Sequence, residues 1–455
     1  MPLLVRPLPL VHESRQGYVF RLSVLNGFDH PRWCVPLARA DDERDGSGAS
    51  LTALTGHDKA TLSTLRGPIF GLGSMGTRDD GDVGSRYWNT RFQRYCPICL
   101  AGERYHRAIW GLTFGVACPE HAVRLRDDCP ACGQAIRWVG TPLGKCSCGA
   151  LLESALAMPC TENAAAYVQL LFSALYPDSI AARTLAPQLR ALQLEQLLRL
   201  TWFIGAYAIR QKAKAQKISG VMNLGNAESM VEATAVALFD WPRGFHFLLD
   251  ELGAKNDIAT CGNKLSAYFG RFYHTLYRNF PEPSFAFLRE GFEYYIGGHW
   301  SGQLAKRNRR FSAISPEVHE WISIKEAARV LRTRTTRVKE LVETGQLVGR
   351  FFSTAKGRKM GAVRRDSVNA AAVRGASLVT LLEARQILGI SKKRLHKLIA
   401  EGRLRAVRGP KVDGYPVWQF ERDALAEATK AMMAEIPCSP LPKRKLVKAP
   451  VAGRP

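Results

Sequence analysis

Between residues 160 and 300, apolar side chains recur three and four positions apart, the spacing of helices that bury one face. The segments AAAYVQLLFSALY, LEQLLRLTWFIGAYAIRQKAKAQK, MVEATAVALFDW, LSAYFGRFYHTLYRNF and FAFLREGFEYYI are therefore predicted helices. In the fourth, Phe269, Phe272, Tyr273, Leu276 and Tyr277 line one face, a stripe better explained as core than as a platform for stacking bases. Upstream, an extended arm containing Pro7 and Pro9 runs to a predicted helix start at Glu13-Ser14, and LTALTGHDKATLSTLRG predicts two short helices. His57 beside Asp58 reads as a structural turn histidine rather than a catalytic one. Residues 39–50 and 74–86, rich in Asp, Gly and Ser, are expected loops.

Beyond residue 320 the pattern repeats itself at an offset of 57 without a gap. Ser323 falls on Thr380, Glu326 on Glu383, Leu331 on Leu388, Leu341 on Leu398, Gly345 on Gly402, and Arg365-Asp366 on Arg422-Asp423. Each copy opens with a capping pair, Ser323-x-x-Glu326 or Thr380-x-x-Glu383, in which hydroxyl and carboxylate meet the free amides of a helix start. A short helix, a tight turn and a second helix follow (about 335–343 and 392–400), then a glycine placed to end that helix in a left-handed cap. Extended residues 347–364 and 404–420 would supply a two-stranded wing. Two helices so joined form a helix-turn-helix, whose second helix enters the major groove. The copies resemble the winged helix-turn-helix of the MerR and excisionase group.

Composition adds a direction to this layout. The chain of 455 residues is 46% apolar, ordinary for a folded protein, and lacks any run of about eighteen apolar residues that could span a bilayer. Its net charge of +24 is segregated: residues 301–455 hold 33 Lys or Arg against 13 Asp or Glu, leaving a surplus of only 4 for the first 300. A basic excess confined to one end is the footprint of a nucleic-acid-binding region. With Val338, Leu341 and Val342, or Leu395, Leu398 and Ile399, turned to the core, the outward positions are Arg334, Thr336, Arg337 and Lys339 in one copy and Lys392, Lys393, Arg394 and His396 in the other. Lys356, Arg358 and Lys359 tip the first wing, and Arg408 and Lys411 the second. Arginine can read guanine bidentately and lysine neutralises phosphate, so these are the candidate DNA contacts.

The opening MPLLVRPLPLVHES interrupts its apolar residues with prolines, which argues against a signal peptide and for a reducing cytoplasm. There, clustered cysteines point to metal. Seven of the 11 cysteines lie between Cys96 and Cys148, arranged as Cys96-x2-Cys99 with Cys118-x2-His121, and Cys129-x2-Cys132 with Cys146-x-Cys148. Two sets of four sulfur and imidazole ligands, each delivered as two close pairs, suit two tetrahedral Zn2+ ions. Four ligands per ion leave no open position for a reactive water, so both ions are expected to be structural, lending folding free energy to a module with little apolar core of its own.

The order Pro7-x-Pro9, Glu13-Ser14, Arg21-Leu22, Asn26-Gly27, Tyr95-Cys96-Pro97-x-Cys99, Cys118-Pro119-x-His121, Cys129-Pro130-x-Cys132-Gly133 and Cys146-x-Cys148-Gly149 resembles the TniQ/TnsD family, the target-selecting proteins of heteromeric transposons. The block His299-Trp300-x-Gly302-x-Leu304-x3-Asn308-Arg309 is similar to one found downstream in family members. The resemblance implies a target-site selector that binds duplex DNA and recruits an AAA+ ATPase, and through it the transposase. No phosphate-cradling Gly-x4-Gly-Lys-Ser/Thr loop and no paired acidic motif for two-metal strand cleavage is present, so an enzyme is not expected. Alternatives are an adaptor to an RNA-guided CRISPR complex and a zinc-containing helix-turn-helix transcription regulator. The family's adaptors of the first kind need little DNA-binding apparatus, which so basic an end does not match. The expected layout is mainly α and multidomain: an N-terminal domain (1–90), a double zinc module (91–160), a helical middle domain (161–318), two winged modules (319–374 and 375–436) and a disordered basic tail (437–455). A homodimer is compatible with it.

Overall fold

A computed structural model of the chain describes residues 2–29, 49–69, 84–138, 143–177, 187–209, 222–254, 265–300, 302, 311, 319–353, 359–376, 378–412 and 415–434. The chain divides into two compact units, one built on Met1–Val318 and one on His319–Phe351 with Lys359–Pro455.

The first unit opens with α1 (Arg15–Leu25), started where predicted: the Ser14 side chain accepts from the Gly17 amide. Tyr18, Val19 and Leu22 of α1 bury against Leu51 and Leu54 of α2 (Ala49–Thr55), Leu62 of α3 (Lys59–Leu62), and Leu65 and Ile69. Asp58 caps α3 by accepting from Thr61, and His57 donates to the Pro7 carbonyl at 3.2 Å, so this pair is structural, as the sequence suggested.

The cysteine-rich segment carries α4 (Pro97–Gly102) and α5 (Ala108–Gly111), and is followed by α6 (Glu162–Leu175), α7 (Pro187–Arg190), α8 (Leu194–Ala208), α9 (Leu224–Phe239), α10 (Arg243–Ala254), α11 (Leu265–Tyr268), α12 (Gly270–Asn279) and α13 (Ala286–His299). The predicted helices are present, with two differences. One segment is broken into α11 and α12 at Gly270, whose φ of +54 no continuous helix allows. Helix α10 escaped the periodicity because Pro242, Gly244 and Gly253 punctuate it. Gly244 is required there, since a Cβ would meet the Val236 carbonyl oxygen of α9 at 2.2 Å. The run 210–217 that was expected to extend α8, and nearly all of the two expected loops, lie outside the described residues, while 49 and 50 belong to α2.

One apolar core runs from Tyr87 through the cysteine-rich segment to Trp300. Phe269, Phe272, Tyr273 and Leu276 are buried in it, with Phe272 stacked on Phe203 at 4.8 Å, so the aromatic stripe is core. Trp110, Phe114 and Leu125 belong to the same core. The metal-ligand region therefore does not depend on metal alone, contrary to expectation.

The second unit repeats one order of elements, with one strand fewer in the second copy: β1 (Trp321–Ser323), α14 (Ile324–Val330), α15 (Thr335–Glu343), strands β2 (Gly349–Ser353) and β3 (Lys359–Arg364), α16 (Arg365–Ala376), then β4 (Leu378–Thr380), α17 (Leu381–Leu388), α18 (Lys392–Ala400), β5 (Gln419–Glu421) and α19 (Arg422–Ala434). The second helices occupy the predicted residues, and Gly345 and Gly402 end them with φ of +74 and +71. Strand order is β1-β3-β2 in the first copy and β4-β5 in the second, both with antiparallel pairing to the opening strand. Each copy has its own core, around Val338 and Val363 in one and Leu395 and Phe420 in the other. The second wing is shorter than expected, reduced outside β5 to a bridge between Arg408 and Gln419. Pro410 and Pro416 each remove an amide that a longer ladder would need.

Candidate metal centres and basic helices

The four ligand pairs are delivered by two kinds of local structure. Cys96 is the N-cap of α4 with Pro97 following it, so Cys96 and Cys99 face the same way across one helical turn. The other three pairs sit at the tips of minimal hairpins, closed by bridges between Ala117 and Arg124, Asp128 and Ala135, and Lys145 and Leu151. Within them the chain turns back on itself through Cys118 N–H to Val123 O, Cys129 N–H to Gln134 O and Cys146 N–H to Ala150 O, and the Ala131 amide turns inward to the Cys129 sulfur at 3.4 Å.

The result is two compact donor sets. In the first, Sγ of Cys99 lies 3.6 Å from that of Cys118, and His121 Nδ1 is 3.7, 3.2 and 3.5 Å from the sulfurs of Cys96, Cys99 and Cys118. In the second, Cys129 and Cys148 are 3.6 Å apart and Cys132 and Cys146 3.7 Å. All donors of each set lie within 4.8 Å of one another. Sulfurs bound at about 2.3 Å around a tetrahedral centre are separated by about 3.8 Å, so both sets fit such an ion. The first set is almost wholly buried, whereas Cys132 and Cys148 of the second are exposed. Hydrogen bonding among the three sulfurs lowers the Cys96 thiol below its ordinary range and raises those of Cys99 and Cys118, the mark of thiols crowded around one point.

Two buried groups brace the first set. Arg94, fully buried, donates through one nitrogen to the carbonyls of Leu112, Thr113 and Gly115 and through the other to Met222 at 3.3 Å. Burial lowers its pKa to about 10, which leaves it cationic at neutral pH. His106 lies 2.8 Å from the Ser14 hydroxyl through Nδ1 and packs edge-on to Trp110 and Trp138. Gly17 of α1 presses so close that a Cβ would meet the His106 Cβ at 2.7 Å. Burial, with the neighbouring Arg107 charge second, pushes His106 down to about 3, so it folds in as a neutral ring. The unfolded chain, with an ordinary His near 6.5, then binds the extra proton in acid. Stability from this residue is complete above about pH 6.5 and falls towards about pH 3 by up to about 1.4 kcal/mol per unit. Urea midpoints between pH 7 and 5 are expected to slope less steeply in His106→Gln than in the parent, and equal slopes would show that the ring does not titrate this way.

The arm that precedes α1 is laced to that helix by side chains. The Asn26 side chain both accepts from the Val5 amide (2.9 Å) and donates to its carbonyl (2.7 Å). Tyr18 donates to Pro7 O, and Arg21 donates to Leu8 O and in two bonds to the buried carboxylate of Glu13. Glu13 also accepts from Leu10 N–H. Beyond Glu13 the chain pairs with residues 106–108, through Ser14 N–H to His106 O and Ala108 N–H to His12 O. Leu4, Leu8 and Val11 stay exposed.

Residues 4–125 match the family model for TniQ. This segment is a TniQ domain. The comparison with curated proteins gave no match. The TniQ domain thus spans the arm, α1 and the first donor set, and Glu13, Arg21 and Asn26, singled out for resemblance alone, are the residues that clasp the arm. In the downstream block, Trp300 is buried in the core, and Leu304, Asn308 and Arg309 lie outside the described residues.

On the second unit, Arg334, Thr336 and Lys339 are exposed on or beside α15, as are Lys392, Lys393, Arg394 and His396 on α18, while Val338, Leu395 and Leu398 face the core. Lys411 is exposed, Lys359 opens β3, and Lys356 and Arg358 lie outside the described residues, as does the tail from 437. Arg337 and Arg408 are half-buried and engaged: Arg337 pairs with Glu340 at 2.9 Å, and both guanidinium groups approach the Tyr415 ring, at 5.5 and 4.5 Å. Sequence reasoning missed Arg94, His106 and Tyr415. For Tyr415 a signal existed, because the repeat places it opposite Arg358, a break in kind at a shared position. Among the described residues no helix is long and apolar enough to cross a membrane.

Proposed function

We propose that the chain is a non-enzymatic target-site selector for a heteromeric transposon. Its duplicated C-terminal units act as tandem winged helix-turn-helix modules on duplex DNA, and its TniQ domain recruits an AAA+ ATPase that brings the transposase. Both four-ligand sets hold structural Zn2+, the ion whose tetrahedral thiolate and imidazole preference matches the donors. The observation that supports the reading is the pairing, on one chain with a TniQ domain, of two repeat copies whose second helices expose cationic side chains. The outward residues of the two copies differ, which favours two unlike half-sites over a palindrome.

Footprinting of the purified full-length protein on fragmented host and plasmid DNA, at near-physiological salt, tests this. Salt suppresses the non-specific phosphate binding of so basic a chain. One strong footprint of about two duplex turns is expected, and Arg394→Ala should weaken it by about 1–3 kcal/mol if this side chain reads a base. Uniform weak binding would favour a guide-directed adaptor instead.

A further inference from the structure

The two repeat copies differ in what becomes of one arginine. Arg337 in α15 and Arg394 in α18 occupy equivalent positions, yet Arg394 is exposed and Arg337 is not: its side chain retains 27% exposure and its Nε is buried. The difference comes from the other module. Tyr415, in the loop before β5 of the second copy, presents its ring to the Arg337 guanidinium at 5.5 Å, and Arg408 of the same loop lies 4.5 Å from that ring. Glu340, one turn along α15, pairs with Arg337 at 2.9 Å and offsets the repulsion between the two cations. The modules are also joined covalently through one residue between α16 and β4. The Tyr415 contact is a second link between them, away from that junction.

We propose that Tyr415 is a positioning residue that clasps Arg337 and fixes the two helix-turn-helix modules at one mutual orientation, so that they read a bipartite duplex site with a single spacing. Arg337 then serves the clasp, and base reading in the first copy falls to Arg334, Thr336 and Lys339. The specificity consequence rests on the proposed DNA-binding function, whereas the clasp itself does not. A desolvated guanidinium over an aromatic face is a strong enough contact to hold such a joint, and a benzene ring serves as well as a phenol. Tyr415→Phe should therefore preserve it and Tyr415→Ala abolish it.

Two measurements on the full-length protein separate clasp from function. The first places spin labels, through unnatural amino acids, at exposed Lys325 of the first module and Glu427 of the second, without DNA. The distance distribution is expected to be narrow in the parent and Tyr415→Phe, and at least about twofold broader in Tyr415→Ala and Arg337→Ala. An unchanged width in Tyr415→Ala overturns the clasp. The second selects binding sites from a random duplex library. The parent and Tyr415→Phe are expected to enrich two sequence elements at one fixed spacing, and Tyr415→Ala the same elements at several spacings. A single spacing retained in Tyr415→Ala overturns the role in specificity. Failure of the parent to enrich any sequence removes the sequence-selective reading and leaves the label experiment to decide the clasp alone.

Discussion

Replacing Arg94 by methionine is expected to lower the stability of the first unit by about 3–5 kcal/mol, since buried carbonyls left without a donor cost about 1–3 kcal/mol each. The side chain is fully buried and its donors end on carbonyls that no hydrocarbon can satisfy: Thr113 and Gly115 beside the first ligand set, and Met222 just ahead of α9. It thereby ties the cysteine-rich segment to the helical layer. Methionine matches the length and polarity of the core but leaves those oxygens without their donor. Arg94→Lys keeps the charge and loses the fork, so it should recover only part of the loss. Thermal and urea unfolding of the three proteins measure this directly. A change within about 1 kcal/mol for methionine would mean that the loop 112–115 rearranges to find other donors.

The second large effect separates the two cysteine sets. With both sets holding metal as proposed, Cys96→Ser and Cys129→Ser should each lower the metal content of the purified protein by one ion per chain, as read by metal analysis. Their structural consequences should differ. All three sulfurs of the first set, Cys96, Cys99 and Cys118, lie in the common core, against two of four in the second, Cys129 and Cys146, so loss of the first ion opens more of that core. Loss of the second ion acts on hairpin tips where Cys132 and Cys148 already meet solvent. Hydrogen exchange in Cys96→Ser should therefore rise across α4 to α6, with a melting temperature lowered by several degrees. In Cys129→Ser the change should stay within residues 129–152. Identical, global unfolding in both variants would show that the second set is as integral as the first.

The repeat was legible because its determinants are local. A capping hydroxyl, an apolar stripe of three residues and a glycine in the left-handed region each specify their own few residues, and so α15 and α18 fall where the sequence places them. The ligand pairs were legible for the same reason, since a pair two or three residues apart forms its turn unaided. What the sequence hid is non-local. Nothing in the string around Arg94 shows that its guanidinium ends among the carbonyls of residues 112–115 and Met222, and the core shared by ligand region and helices emerges only once distant apolar faces meet. Helix α10 was concealed differently, by glycines that mark close approach, Gly244 to α9 and Gly253 to Tyr268, and so resemble loop residues in a one-dimensional reading.

The clasped arm bears on the thermodynamics of any association at that face. Fixing the backbone of a free six-residue segment when a partner arrives would cost about 6–12 kcal/mol in conformational entropy. Because Asn26, Tyr18, Arg21 and Glu13 already hold residues 5–10 in place, that cost is met during folding, and a protein docking on Leu4, Leu8 and Val11 encounters a surface in its final shape. Association there should accordingly be governed by apolar contact area rather than by ordering, with a fast on-rate and little dependence on salt.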